Sequence, residues 1–193
     1  MSSRYVTPGP LRAEHVVLEA NLLRLEPLTL AHLPGLIALF DPAIWLWYSV
    51  TVATPEALAG FIHALLAEQA SGSAMAYAAR NKATGELVGS TAYLHIDHKH
   101  RRVEIGSTWW APQWQRTFVN STAKRLMIDY AFDVMNAMAI ELRTDALNAP
   151  SRRAIERLGA TYSGCLPAHR ICDDGRVRDT VVYTLTRWDQ RAT

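Results

Sequence analysis

Two cysteines are all that the 193 residues carry, too few for the disulfide framework of a small secreted domain. Cys165 and Cys172 fall on what reads as one strand. Seven residues at about 3.3 Å each hold them roughly 23 Å apart, far beyond the ~4.4–6.8 Å Cα span of a disulfide. Both are expected as reduced thiols, which suits a cytoplasmic protein. Apolar runs of the roughly 18–20 residues needed to cross a membrane are absent, so no membrane partner is expected. The opening MSSRYVTPGPLRAEH has no apolar core of a signal peptide. Excess charge is missing as well: 20 Lys+Arg against 18 Asp+Glu leave a formal +2, too mild to favour a nucleic-acid partner. Glycine is missing where phosphate chemistry would first be sought. The stretch QWQRTFVNSTAK (113–124) has none, and the absence of both GxxxxGK[ST] and GxGxxG argues against ATP and NAD sites.

What is present is enough apolar residue for a full core, 49% of the chain, at a length that suits one domain. Residues 1–14 read as a loose arm, 15–188 as a single domain and 189–193 as a tail. No repeat or low-complexity segment interrupts the domain. Two short strands around Ala20-Asn21 open it. Leu33, Leu36, Ile37 and Phe40 keep helical spacing. Thr54-Pro55 caps and starts a second helix, whose stripe is Leu58, Phe61, Ile62, Leu65 and Leu66. Strands follow at 74–80, 87–96 and 103–111. A third helix spans about Ser121 to Met135, with Ala123, Leu126, Met127, Tyr130, Ala131 and Val134 facing the core. A strand at 139–147 precedes a short helix in NAPSRRAIERLG, which opens on an Asn cap and closes on Gly159. Two last strands flank the DDG turn at 173–175. The order β-β-α-α-β-β-β-α-β-α-β-β, with one late strand-helix-strand crossover, is α+β or mixed α/β.

The stretch QWQRTFVNSTAK still resembles the start of an anion site. A helix N-terminus offers unpaired N–H groups and a positive dipole end. Arg116 adds a full charge able to bind bidentately. The plain alternative is a capped helix beside a solvated arginine. Its surroundings add to the first reading. The block RRVEIGSTWWAPQWQRTFVNSTAKRLMIDYAFDVMNAMAIELRTDALNAPSRRAIERLGA resembles the acetyl-CoA core of GCN5-related N-acetyltransferases, and is most similar to their RimJ/RimL-like branch, which includes enzymes acting on ribosomal-protein N-termini. LLRLEPLTLAHL and DDGRVRDTVVYTL extend the resemblance over about residues 15–188.

The resemblance implies a mostly antiparallel mixed sheet of about seven strands flanked by about four helices, with acetyl-CoA as co-substrate and no metal. It implies that Gln115, Arg116, Thr117, Phe118, Val119, Asn120 and Ser121 cradle the pyrophosphate of coenzyme A. Phe118 and Asn120 stand where the family more often has glycine. Asn120, which tolerates left-handed φ, is the expected substitute. Ser107, Thr108 and Trp109 are implied as the strand edge that pairs with pantetheine amides and lends an N–H to the thioester oxyanion. Asn148 is implied as a cofactor contact and Ser151 as the acid that protonates the thiolate; read alone, Asn148 and Ser151 are a helix cap. Trp45, Trp47 and Tyr48 are implied as the lining of an acceptor pocket, where composition alone suggests a core cluster. The family's members are often dimers, so a homodimer is among the implied assemblies.

Two residues compete as general base. Glu104 sits inside a strand, a costly place for a carboxylate unless it is paired or used. Strict alternation puts Val103, Ile105, Ser107 and Trp109 on one face, and Glu104, Gly106, Thr108 and Trp110 on the other. Glu104 is either exposed or arginine-paired, or it is the base, and His169 is either structural or the base. The run HIDHKH (95–100) imitates a metal motif at a polar turn, without the converging ligands that zinc needs. For the acceptor, an α-amine with pKa about 7.7–8.0 is already partly neutral near pH 7.5. Lysine, at about 10.4, costs roughly 3–4 kcal/mol more to deprotonate. A site without a strong base therefore leans towards α-amines, of a peptide N-terminus or an amino-acid-like metabolite. A coenzyme-A-binding module without catalysis is the alternative that Phe118 and Asn120 leave open.

Overall fold

The structure, a computed structural model, describes residues 9–188, and the expected tail 189–193 lies outside the described residues, as do positions 1–8 of the arm. The strands are β1 (Leu18–Glu19), β2 (Leu23–Pro27), β3 (Met75–Asn81), β4 (Leu87–Asp97), β5 (Arg102–Trp110), β6 (Ala139–Asp145), β7 (Thr161–Ile171) and β8 (Val177–Thr186). The helices are α1 (Leu33–Ile37), α2 (Pro55–Ala70), α3 (Phe118–Asp133) and α4 (Ala149–Glu156). The element order is the expected one.

All eight strands join one sheet in the order β1-β2-β3-β4-β5-β6-β8-β7, the number in the expected element order, where the resemblance implied about seven. Every neighbouring pair is antiparallel except β5 and β6. The sheet divides two cores. On one face Leu36 of α1 and Leu58, Ile62 and Leu65 of α2 pack on Ala76, Ala78, Ala92 and Trp109. On the other Val119, Ala123 and Met127 of α3 and Ile155 of α4 pack on Leu25, Tyr93, Val103, Ile140 and Tyr183. Among the described residues, no helix is long and apolar enough to cross a membrane.

Caps set the helix starts. Thr54 accepts a hydrogen bond from Ala57 N–H, with Pro55 at the first helical position, an arrangement worth about 1 kcal/mol. In α3 the cap is Thr117, which accepts from Val119 N–H. The helix therefore begins three residues before the expected Ser121. It ends at Asp133, so Val134, expected in the stripe, lies past the last turn and is 54% exposed.

Two other expectations are corrected. Residues 9–14, read as a loose arm, lie against the end of α3: Leu11 is 5% exposed, Arg12 N–H donates to the Met135 carbonyl at 2.9 Å, and the Tyr130 hydroxyl donates to the Glu14 carbonyl at 2.9 Å. The alternation of β5 breaks at Ser107, which has φ +46. Ser90 pairs Trp109 and Ala92 pairs Gly106, so Ser107 and Thr108 both oppose Thr91. The extra residue is a β-bulge and reverses the parity beyond it. Trp109 goes to the α1/α2 core, and Trp110 joins Val103 and Ile105 on the α3 side.

Candidate active site

The parallel pairing of β5 with β6 runs through Arg102–Ala139, Val103–Ile140 and Glu104–Glu141 and stops there. Beyond Glu104 the two strands part. A β-edge left unpaired beside a gap offers N–H and C=O groups to an extended ligand. The starts of α3 and α4 follow these two strands and face the same gap. A cavity of about 880 Å³ fills it, lined among others by Glu104, Ser107, Thr108, Trp109, Asn148, Ser151 and His169. That volume is at the upper end for small-molecule sites, about 300–1,000 Å³.

At one end lies the turn into α3. Gln115, Arg116, Thr117, Asn120 and Ser121 line the cavity. Gln115 Nε2 donates to the Trp110 carbonyl at 3.2 Å, Asn120 Oδ1 accepts from Trp110 Nε1 at 3.0 Å, and Thr117 Oγ1 donates to the Trp114 carbonyl at 2.7 Å. The turn is thus held from within, leaving N–H groups of the first helical turn without intrahelical acceptors. The left-handed residue is Arg116, φ +59. It is not Asn120, which the early start of α3 makes helical. Arg116 is exposed, and its guanidinium has no partner among the described residues. Val119 is fully buried, and Phe118 packs edge-on against Trp114 with centroids 6.2 Å apart. Neither side chain lines the cavity, so only their backbone can serve a ligand.

At the fork of the strands, Glu104 is 9% exposed. Its Oε2 lies 3.0 Å from His95 Nδ1 and 3.3 Å from Arg143 Nε. Within HIDHKH, then, His95 is engaged by this carboxylate. Glu104 is thus arginine-paired and not exposed, and it faces the cavity. Ser151 lies on the first turn of α4, where its N–H donates to Asn148 Oδ1 at 3.1 Å. Its hydroxyl lines the cavity with no hydrogen-bond partner among the described residues. Asn148 is therefore a true cap whose side chain also borders the cleft. His169 reaches the cavity from β7, with a buried Nδ1 that lacks a partner. Burial holds its pKa below the ordinary value, helped by the charges of Arg170, Arg143 and Arg178, while Glu104 pulls the other way.

The loop between α1 and α2 closes the far end. Trp47 and Tyr48 line the cavity, and the Tyr48 hydroxyl donates to the Thr108 carbonyl at 2.7 Å. Trp45 does not line it. It is 5% exposed in the α1/α2 core, with ring centroids 4.7 Å from Tyr48, 5.0 Å from Phe61 and 5.7 Å from Trp109. Its flat, wide surface wedges the loop in place without reaching the cleft.

Sequence reasoning missed Lys124 and the cleft's arginines. Lys124 is on α3, one turn after Asn120, and is 7% exposed. Its Nζ donates to Thr108 Oγ1 at 2.6 Å, and Thr108 Oγ1 also meets Thr91 Oγ1 at 2.7 Å. Burial pushes the Lys124 pKa from 10.5 down to about 7, against a smaller opposing pull from Glu104. A signal existed: Lys124 keeps helical spacing with Met127, Ile128 and Ala131, so it had to be on the inner face.

Residues 23–161 match the family described as "Acetyltransferase (GNAT) domain". A GCN5-related N-acetyltransferase from Brucella melitensis superposes with TM-score 0.85 at 28% identity, over 95% of this chain and 84% of that one. Spermidine N(1)-acetyltransferase of Escherichia coli K12 is 29% identical over 97 residues, 50% of this chain and 51% of the relative. A Salmonella typhimurium acetyl transferase that modifies the N-terminal serine of ribosomal protein L7/L12 shares the fold at 16% identity, with TM-score 0.76 over 89% and 99% of the two chains. The chain spans about half the length of the curated relatives it matches, 51–58%.

Proposed function

Because the chain belongs to the acetyltransferase (GNAT) domain family, we propose that it transfers an acetyl group from acetyl-CoA to a primary amine, directly and within a ternary complex. The observation that carries this reading is the parting of β5 and β6 immediately after Glu104. It provides a free strand edge for pantetheine, with the N-terminus of α3 and Arg116 at the phosphate end.

In the proposed reaction an uncharged amine attacks the thioester carbon. The new N–C bond forms as the C–S bond breaks. Glu104, through water, takes the amine proton. Its contacts with Arg143 and His95 fix the carboxylate in place. His169 is a second candidate base, and burial, which lowers its pKa, favours the neutral ring that a base needs. N–H groups of the bulged 107–109 segment, which borders the cavity, are the proposed donors to the oxyanion. The partnerless Ser151 hydroxyl gives the departing thiolate its proton. The acceptor is an α-amine, the kind that this weakly basic site can use without deprotonating a lysine. The RimJ/RimL-like branch, with its ribosomal-protein N-termini, is supported by the block 101–160 in the sequence. A cytoplasmic location is supported by the two free thiols, Cys165 and Cys172. A homodimer follows only from the family's habit.

The test is to incubate the protein with acetyl-CoA and a panel of primary amines and to follow free thiol, with acetyl-CoA binding measured separately by thermal shift. Stabilisation follows RT ln(1 + [L]/Kd), about 2.7 kcal/mol at a hundredfold excess over Kd. Amine-dependent thiol release is expected. No shift with millimolar acetyl-CoA would remove the reading altogether; a shift without release on any amine would leave a binding module.

A further inference from the structure

The acceptor end of the cleft carries more positive charge than its carboxylates answer. Arg143 is engaged, with Glu141 Oε2 at 2.7 Å and Glu104 Oε2 at 3.3 Å. Asp145, 1% exposed, is taken by Arg176 at 2.7 Å and lies 3.8 Å from Arg178 Nε. Arg178 therefore shares Asp145 with Arg176, at the longer distance, and has no carboxylate of its own among the described residues. It is 9% exposed, and among the described residues its Nε has no hydrogen-bond partner and its Nη1 makes one 3.3 Å bond, to the Trp47 carbonyl of the acceptor loop. Directly across the β7–β8 pair stands Arg170, whose guanidinium makes no hydrogen bond or ion pair among the described residues. Both arginines line the cavity, with His169 beside them.

Like charges directly opposite on neighbouring strands are destabilising, and a buried guanidinium with an unmet donor adds to the cost. An anion between the two removes both penalties. Guanidinium forks suit a carboxylate in particular, through paired N–H donors.

Taking the acetyltransferase reading as its basis, we propose that the acceptor is an amine that also carries a carboxylate, as a free α-amino acid does, and that Arg170 and Arg178 hold that carboxylate beneath the Trp47–Tyr48 loop. Burial is the main reason that the His169 pKa is lowered, and the charges of Arg170, Arg143 and Arg178 add to it against the pull of Glu104. The amine then lies towards Glu104 and the thioester; a free amino acid's amine is more basic than a peptide N-terminus, so in this case Glu104 is needed to take its proton. A polyamine meets repulsion at this end of the cleft, so the activity in the name of the spermidine relative does not carry over to this chain.

The experiment compares α-amino acids with their α-carboxamides, side chain by side chain, with spermidine and free-amine tripeptides as further arms. Thiol release is followed, and acetyl-CoA binding is measured in parallel. Acids are expected to exceed their amides at least tenfold in kcat/KM, and spermidine to be inert. Arg170→Gln, on an exposed side chain, should erase most of that preference through KM for the acid while leaving acetyl-CoA affinity unchanged. Arg178→Gln should do the same, with thermal melting as its folding control. Amides or spermidine used as well as acids would overturn the proposal, as would tripeptides preferred to every free acid. No turnover of any carboxylate-bearing amine, or an undiminished preference in Arg170→Gln, would overturn it too. Each of these results is read on protein that binds acetyl-CoA; failure of that binding overturns the underlying reading and this proposal with it.

Discussion

Replacing Lys124 by Met tests whether the cleft really contains a buried amine. The side chain is enclosed, and among the described residues the one hydrogen bond its Nζ makes is to the neutral hydroxyl of Thr108 at 2.6 Å. Desolvation therefore disfavours the ammonium and brings its pKa from 10.5 to about 7. The sign follows from proton counting. Between these two values the unfolded chain binds more protons than the native one, so stability rises with pH. The contribution is fully present above the unfolded pKa and is lost as pH falls towards the folded one. At about 1.36 kcal/mol per unit, the native state at pH 7 carries a penalty of about 4 kcal/mol, which shrinks to about 1.5 kcal/mol at pH 9.5. Met has nearly the same length and no charge to desolvate. The lost bond to Thr108 offsets the benefit by about the same amount at every pH. Urea denaturation of parent and Lys124→Met at pH 7 and 9.5 gives four stabilities. In their double difference the titrations of other groups cancel. The advantage of the Met variant should fall by about 3 kcal/mol between the two pH values. If the two proteins keep a constant gap within about 1 kcal/mol, the Lys124 amine is solvated or charge-compensated, and the argument fails.

Two further substitutions separate cofactor binding from chemistry. Arg116→Ala should weaken acetyl-CoA binding by roughly 1.5–3 kcal/mol, as expected on losing a charge-assisted hydrogen bond; an unchanged Kd by calorimetry would return Arg116 to the solvent. Ser151→Ala should lower kcat towards the lower end of the ~10²–10⁴-fold range of general acid catalysis with acetyl-CoA affinity intact, since a thiolate leaves fairly well unaided. Parental turnover in a variant that melts with the parent would reduce Ser151 to a helix residue.

The order of elements was legible because most of them announce themselves locally. Thr54-Pro55 opens α2, Asn148 opens α4, and Gly175, φ +84, closes the DDG turn, as their residue types predict. The start of α3 was harder. Thr117 and Asn120 are both competent caps, and the choice between them was made by packing: Val119 is fully buried and is part of the core only if the helix begins before it. The face of Trp109 was out of reach for a different reason. It depends on the left-handed φ of Ser107, a non-glycine residue in a bulge, and nothing in VEIGSTWWA distinguishes a bulged strand from a regular one. The first strand, β1, was expected before the Ala20-Asn21 turn, but only two of its residues, Leu18 and Glu19, pair with β2.

The candidate site divides along the same line. Positions tied to a helix start or to a strand alternating beside the gap could be named in advance, because the backbone that presents them is local. Glu104, Ser151 and Arg116 are of this kind. Arg170, Arg178 and Lys124 are not, for their meaning is relational. Arg178 has only a shared, more distant carboxylate because Asp145, thirty-three positions earlier in the chain, is held closer by Arg176. Arg170 matters only because the β7–β8 register puts it across from Arg178 rather than across from a carboxylate. Lys124 matters only because the bulge at Ser107 brings Thr108 to the α3 side to meet it. In each case the charge is visible in the sequence, while the absence of its partner is a property of the assembled sheet. Residues that hold a ligand by an unmet need are therefore found in the folded chain, where it can be seen which needs the protein has already met.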